Sequence, residues 1–387
     1  MADVQILMVG GRRCGKSSVL SSLVTQLNTD TEILKEVIIN YQQQKADVAP
    51  DKTLNRRQSQ LTSFLNNNKD KYYLVDFGAD KTFSYHPFKV RIPDGKGGFC
   101  WGNIDITFVD CPGESYVGTS EPDLYEKTIT EIPQTDIFII VVDTPYLMDE
   151  KSDTGKFQQV NSVIEITSLL NMNVSFNSDD DYKKIIFVPV KCEAWKDKLD
   201  QVANKIQQDG YYGSLISRIK QETRWSCCII PALTAGGIKF AEFNKPLLLN
   251  GDEHSPCSPL GTKKVRMKDG VTHDLLPDET LVENTYHTLY FPYYSWFKNT
   301  GEYHPENCDQ VALHVMRFLV FKTLVTLSHG IIPGPIKGFP TASTMRNMIY
   351  NLEDKGLIKD GNPNSNSVDK GIVNIRKIET RAEFNKY

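Results

Sequence analysis

"MVGGRRCGKSSVL", residues 8–20, is the stretch on which the reading of this chain turns. It closes a short apolar run, Val4–Val9, that reads as a buried strand. It opens residues 16–27, where Val19, Leu20, Leu23 and Leu27 recur at helical spacing. Strand, glycine loop and helix therefore stand in the order a phosphate-binding loop requires. In G-x-x-x-x-G-K-S, the glycines let the backbone wrap a phosphate chain with its N–H groups pointing inward. Lys16 supplies charge for the terminal phosphates, Ser17 a hydroxyl for Mg²⁺, and the opening helix its positive dipole end. The candidate cradle is Gly10, Gly11, Arg12, Arg13, Cys14, Gly15, Lys16, Ser17 and Ser18.

Further along, "FVDCPGE" (residues 108–114) places Asp110 at the end of an apolar strand and Gly113 three residues on. That arrangement suits a second phosphate-facing loop. Asp110 would hold Mg²⁺ through water, and Gly113 would offer its N–H to the γ-phosphate. Continuous apolar runs at 136–142 ("DIFIIVV"), 184–190 ("KIIFVPV") and 227–233 ("CCIIPAL") read as strands covered on both faces. Helical stretches at 160–170, 199–207 and 212–222 alternate with them. The alternation predicts an α/β domain with a mostly parallel sheet and helices on both faces.

Two segments interrupt that pattern. Residues 32–44 and 54–66 read as polar helices of an insertion (31–75) before the next strand, 83–92. A turn at 94–98 ("DGKGG") then joins it to the strand 101–109. Residues 238–307 are rich in Pro, Gly, Asn and Tyr and form an irregular second insertion. The apolar stretch 309–327 is a helix that returns to cover the sheet, so one domain is expected over 1–328. Residues 329–387 follow as a small helix–strand extension.

The ordered set G-x4-GKS, DCPGE, VKCE and LTA resembles the translation-factor-related (TRAFAC) class of P-loop GTPases over residues 4–327. The GGRRCGKSS loop and the insertions are also similar to bacterial conflict-system GTPases of the double-GTPase type. The class implies a Ras-like fold, binding of GTP or GDP with Mg²⁺, and a molecular switch driven by hydrolysis. A protein effector or activating partner is implied with it.

The class also assigns roles by position. Lys191 would lay its stem over the base, and Glu193 would accept the guanine N1–H and exocyclic N–H. Val190 stands where the class has Asn or Thr. Thr234 and Ala235 match the turn whose backbone N–H meets guanine O6. Thr82, one residue before the second strand, would close over Mg²⁺ and the γ-phosphate. Glu114 occupies the position that orients water in many members. Arg56 and Arg57 in the helical insertion could serve as an arginine finger in cis. Two other readings stay open: an ATPase or phosphotransferase, and a nucleotide-binding scaffold with little hydrolysis.

Composition narrows the setting. The 387 residues carry a net charge of −4, which argues against bulk nucleic-acid binding. The apolar stretch around 311–327 contains His314, Arg317 and Lys322, so no transmembrane span is expected. Eight cysteines show no C-x-x-C spacing, and Cys14 and Cys111 lie in the nucleotide loops. Reduced thiols and a cytoplasmic protein are expected.

Overall fold

The computed structural model describes residues 4–12, 14–41, 54–67, 72–74, 82–93, 99–113, 115–116, 121–148, 154–174, 182–243, 263–266, 272–275, 295–328, 340–361 and 371–387. The chain begins β1 (Val4–Val9), α1 (Lys16–Thr29), α2 (Thr31–Glu36), β2 (Ile38–Tyr41), α3 (Leu54–Asn67) and β3 (Tyr72–Leu74). It continues β4 (Ser84–Pro93), β5 (Phe99–Asp110), α4 (Pro122–Glu131), β6 (Thr135–Asp143), α5 (Thr144–Met148), α6 (Thr154–Val160) and α7 (Val163–Asn173). Then come β7 (Lys183–Val190), a 3₁₀ segment Cys192–Lys198, α8 (Leu199–Gln208), α9 (Gly210–Gln221) and β8 (Trp225–Ile229). The last part is β9 (Ile238–Phe243), β10 (Lys263–Arg266), β11 (Thr272–Leu275), β12 (Ser295–Asn299), α10 (Cys308–Ser328), α11 (Ala342–Asp354), β13 (Val373–Arg376) and α12 (Arg381–Phe384).

The main sheet has eight strands in the order β13-β8-β7-β6-β1-β5-β4-β2. Pairing is parallel from β5 through β1, β6 and β7 to β8, and antiparallel at both margins. The central strands are apolar at consecutive positions because both of their faces are covered. Ile6 and Met8, Ile137, Ile139 and Val141, and Ile186 and Val188 share a core with α1, α10 and α11. Leu7 and Val9, Phe138, Ile140 and Val142, and Ile185 and Phe187 share the opposite core with α7, α8 and α9. Each such fully buried side chain contributes about 1.5–3 kcal/mol. This is the Ras-like P-loop α/β class expected from the motifs.

The structure differs from the sequence reading in the first insertion. The helix expected over 32–44 ends at Glu36, and Ile38–Tyr41 is an edge strand antiparallel to β4. Val37, Ile38 and Ile39 favour the pleated conformation, and β4 offers a free edge for pairing. The helix expected over 160–170 is two helices broken at Asn161 and Ser162, where Ser162 takes φ 49°. The Asn161 carboxamide explains the break. It accepts from the Asp143 N–H at 2.6 Å and donates to the Phe157 carbonyl at 3.2 Å. Helix α4 had no counterpart in the sequence reading. The turn expected at 94–98 lies outside the described residues, but the flanking β4 and β5 pair antiparallel.

The two insertions meet. Strands β3, β12 and β9 form a small separate sheet, with β3 drawn from the first insertion and β9 and β12 from the second. Asn299 of β12 donates to the Leu65 carbonyl of α3 at 2.7 Å.

Among the described residues α10 is the helix long and apolar enough to cross a membrane, and 72% of its apolar window is buried inside the molecule. It carries fully buried His314 and Arg317 into the core beneath the C-terminal segment. Arg317 donates to both oxygens of Asp360, at 2.7 and 2.8 Å, and lies 3.9 Å from Glu379. Lys184 of β7 pairs with Glu379 in full burial. His314 donates from Nε2 to the Lys359 carbonyl and accepts from Arg317 at Nδ1. Lys359, Asp360 and Glu379 are thereby clasped to α10 and the sheet.

Burial alone would raise the Glu379 pKa, but Lys184 and Arg317 outweigh it and hold it at about 2. A carboxylate depressed in this way stabilises the fold fully above its ordinary value and loses that contribution as pH falls toward 2. Glu379→Gln leaves the buried Lys184 without its carboxylate, while Arg317 keeps Asp360, and is expected to destabilise the fold by about 3–5 kcal/mol. Denaturant unfolding at neutral pH checks this. The gap between wild type and variant is expected to narrow as the pH is lowered from about 5 toward 2.

Candidate functional site

The glycine loop leaves β1 at Val9 and ends at Gly15, the N-cap of α1, which sits at φ 115°, ψ 19°. That left-handed conformation suits glycine. Gly11 is fixed by space instead: a Cβ there would lie 1.8 Å from the Val160 carbonyl oxygen. Lys16 is largely buried and folds back over the loop, donating to the Gly10 and Gly11 carbonyls at 2.8 and 3.2 Å. Cys14 is buried, and burial pushes its thiol up, so it packs as a small neutral side chain. Ser18 and Arg12 are half-buried. Arg13 lies outside the described residues.

Parallel pairing sets Asp110, the last residue of β5, opposite Met8. Its Oδ2 accepts from the Ser17 hydroxyl at 2.6 Å. Two hard oxygen donors in contact at the foot of a phosphate loop fit Mg²⁺, which takes one or two protein oxygens and completes its shell with phosphate and water. Ser84 pairs with Asp110 across β4 and β5, so Thr82 stands at the same end of the sheet, with its side chain exposed. Gly113 is pressed onto the glycine loop: a Cβ on it would meet Arg12 Cα and N at 2.4 Å. Glu114 lies outside the described residues, and so do the side chains of Arg56 and Arg57 in α3.

The residues expected to meet a base also converge. Lys191 takes φ 60°, pairs with the buried carboxylate of Asp143, and lies 5.6 Å from the Phe297 ring centroid. Burial pushes the Asp143 carboxyl up and Lys191 opposes it. Glu193 is buried, and its Oε1 accepts from the N–H groups of Ala235 at 2.9 Å and Gly236 at 3.1 Å. Burial pushes this carboxyl up too, against those hydrogen bonds. The Thr234 carbonyl accepts from Ser22 of α1 at 2.6 Å. Lys191, Glu193, Thr234 and Ala235 thus lie together, but Glu193 is already bonded to the turn beside it.

Sequence reasoning missed Asp143, Asn161, Phe297 and Tyr116. An acid closing a continuous apolar strand, "DIFIIVVD", was a signal for Asp143. Tyr116 gave none, because burial of a loop tyrosine has no local signature.

No family model and no curated protein matches the chain. Among solved structures it is similar to the signal recognition particle receptor SRb-GTP/SRX complex from Chaetomium thermophilum, with a TM-score of 0.34 and 10% identity over 61% of this chain and 93% of that one. It is also similar to the S. cerevisiae Ski7 GTPase-like domain, bound to GDP and inorganic phosphate or to GTP. For these the TM-score is 0.31, at 16% and 17% identity, over 60% of this chain and 43% of that one. The chain thus spans less than half of the Ski7 chain.

Asp110→Asn keeps the shape of the site but removes its negative charge and leaves one uncharged oxygen in place of the carboxylate pair. The Mg²⁺ concentration needed for half-maximal nucleotide binding is expected to rise about tenfold or more, with the thermal midpoint little changed. Titrating Mg²⁺ against a fluorescent guanine nucleotide measures it.

Proposed function

We propose that the chain is a Mg²⁺-dependent GTP-binding and GTP-hydrolysing switch. The observation that carries this is the Ser17–Asp110 contact at the foot of a glycine loop whose lysine lies across its mouth. The loop N–H groups and the α1 N-terminus would hold the α- and β-phosphates, and Lys16 would turn from the Gly10 and Gly11 carbonyls to the β- and γ-phosphates. Ser17 and Asp110, joined by Thr82, would hold Mg²⁺, which supplies charge stabilisation on the phosphoryl oxygens when bound. Gly113 would direct its N–H at the γ-phosphate, and Glu114 would orient the attacking water.

Base recognition in this reading is an exchange. Guanine O6 needs the Ala235 N–H, which Glu193 now holds. Releasing it frees the carboxylate for the guanine N1–H and exocyclic amine. The same contact supports a second reading. Adenine carries an amino donor where guanine carries O6, so it could pair with Glu193 without breaking the turn. Slow turnover without a partner protein fits a charge-bearing Glu114 at the water position. A cytoplasmic setting rests on the reduced-thiol reading, and a bacterial signalling or defence role rests on the loop resemblance.

Lys16→Ala is expected to abolish nucleotide binding by calorimetry. Affinity retained near 1 μM, about −8 kcal/mol, would refute the phosphate-loop assignment. Glu193→Gln keeps an acceptor for the Ala235 and Gly236 N–H groups but offers guanine one acceptor instead of two. Its melting temperature is expected to hold while GTP affinity falls about tenfold or more relative to ATP. Unchanged GTP:ATP selectivity would favour the adenine reading. The nucleotide that copurifies with the wild-type protein, identified by chromatography after denaturation, provides an independent check.

A further inference from the structure

Ser115 and Tyr116 lie in a turn outside helix and strand, and such residues ordinarily run over the surface. Here Ser115 and Tyr116 are 0% and 3% exposed. Tyr116 lies in the core cluster that contains Val9, Val109 and Phe138. Its hydroxyl accepts the buried N–H of Gly10, the first residue of the phosphate loop, at 3.1 Å. The rest of the turn is laced to the same loop. Cys111 donates its N–H to the Met8 carbonyl at 3.2 Å, and Gly113 lies against the Arg12 backbone. Ser115 closes the turn on itself, bonding the Pro112 carbonyl through its hydroxyl at 2.7 Å and its N–H at 3.1 Å.

We propose that Tyr116 is a positioning residue that latches the turn 110–113 onto the phosphate loop and thereby sets the preference for a nucleoside triphosphate over the diphosphate. The inference rests on the GTPase reading above. A β-phosphate is met by loop N–H groups and Lys16, none of which belongs to the turn. A third phosphate would be met by the Gly113 N–H, and by Asp110 only through the Mg²⁺ it would hold; both residues belong to the turn. The turn cannot leave the loop without stripping the Gly10 N–H of its acceptor, and a buried N–H without an acceptor is strongly unfavourable. The phenol therefore favours the arrangement in which the turn and the loop grip a terminal phosphate together.

Tyr116→Phe keeps the ring in the core and removes the acceptor. The test is equilibrium binding of GDP and of a non-hydrolysable imido analogue of GTP to the full chain with Mg²⁺, for wild type and variant. GDP affinity is expected to stay within about twofold, and the analogue:GDP affinity ratio to fall about tenfold. Single-turnover hydrolysis is expected to slow with it. A merely structural role would weaken both ligands alike, so a ratio that holds within about twofold, or rises, overturns the proposal. Should the variant not fold, amide exchange at Gly10 in ¹⁵N-glycine-labelled wild type decides. Exchange slower by about tenfold with the analogue than with GDP supports the latch, and equal exchange overturns it. A wild type that binds neither nucleotide refutes the GTPase reading, and the latch with it. A wild type that binds both but shows no change of ratio in the variant refutes the latch alone.

Discussion

The glycine-loop end of the sheet depends on one parallel register. Residues 4–8 of β1 lie against 106–110 of β5, with Met8 opposite Asp110. The register is set by the core. Ile106 and Phe108 pack in the same cluster as Ile6 and Met8, while Asp105 between them is exposed. A slip of one residue would turn Asp105 and Thr107 inward and Ile106 and Phe108 outward. It would also rotate Asp110 away from the first turn of α1, where Ser17 waits. The carboxylate–hydroxyl contact that makes a metal site possible is thus delivered by apolar packing several residues away, and no residue of the site has to enforce it.

A second constraint is steric. The Val160 carbonyl presses on Gly11, and the Arg12 backbone presses on Gly113, so two glycines are needed for close approach rather than for phosphate contact alone. The α6–α7 junction that supplies Val160 also supplies Asn161, whose carboxamide fixes the backbone of Asp143. Asp143 in turn holds Lys191. The glycine loop and Lys191 are therefore braced by one continuous set of contacts. The small sheet built from both insertions joins it through Phe297, which lies beside Lys191, and through Phe240, which stacks on Trp195.

What could be read in the sequence follows from the range of the forces involved. The runs 136–142 and 184–190 were legible as strands because full burial on both faces leaves an uninterrupted apolar signature. The nearness of Ser17 and Asp110 was legible because a strand–glycine loop–helix order and an acid closing the next strand bring those two positions to one end of the sheet. Strand β2 was not, since residues 32–44 carry a helical pattern that only the open edge of β4 overrides. Nor was the pairing of β3 with β12, which spans more than half the chain. At the base loop the letters located the carboxylate without giving its engagement. The longer side chain of Glu193 lets it reach back to the N–H groups of Ala235 and Gly236, and that choice is decided by local geometry.

Nearly every group assigned to the ligand already has a partner inside the protein. Lys16 bonds the Gly10 and Gly11 carbonyls, Ser17 bonds Asp110, Lys191 bonds Asp143, and Glu193 bonds the Ala235 and Gly236 amides. Ligand binding then replaces one set of contacts by another, and a neutral exchange of hydrogen bonds yields only about 0.5–1.5 kcal/mol each. The two lysines are not equivalent under that rule. Lys191 already has a buried carboxylate, so a base stacked on its stem adds contact area but little charge stabilisation. The internal partners of Lys16 are uncharged carbonyls, and a phosphate oxygen offers it a charge-assisted bond that they do not. On the proposed reading, the driving force for nucleotide binding is therefore concentrated at the glycine loop. On the same reading Glu193, a buried carboxylate that would choose between its own backbone and a base, would contribute discrimination more than affinity.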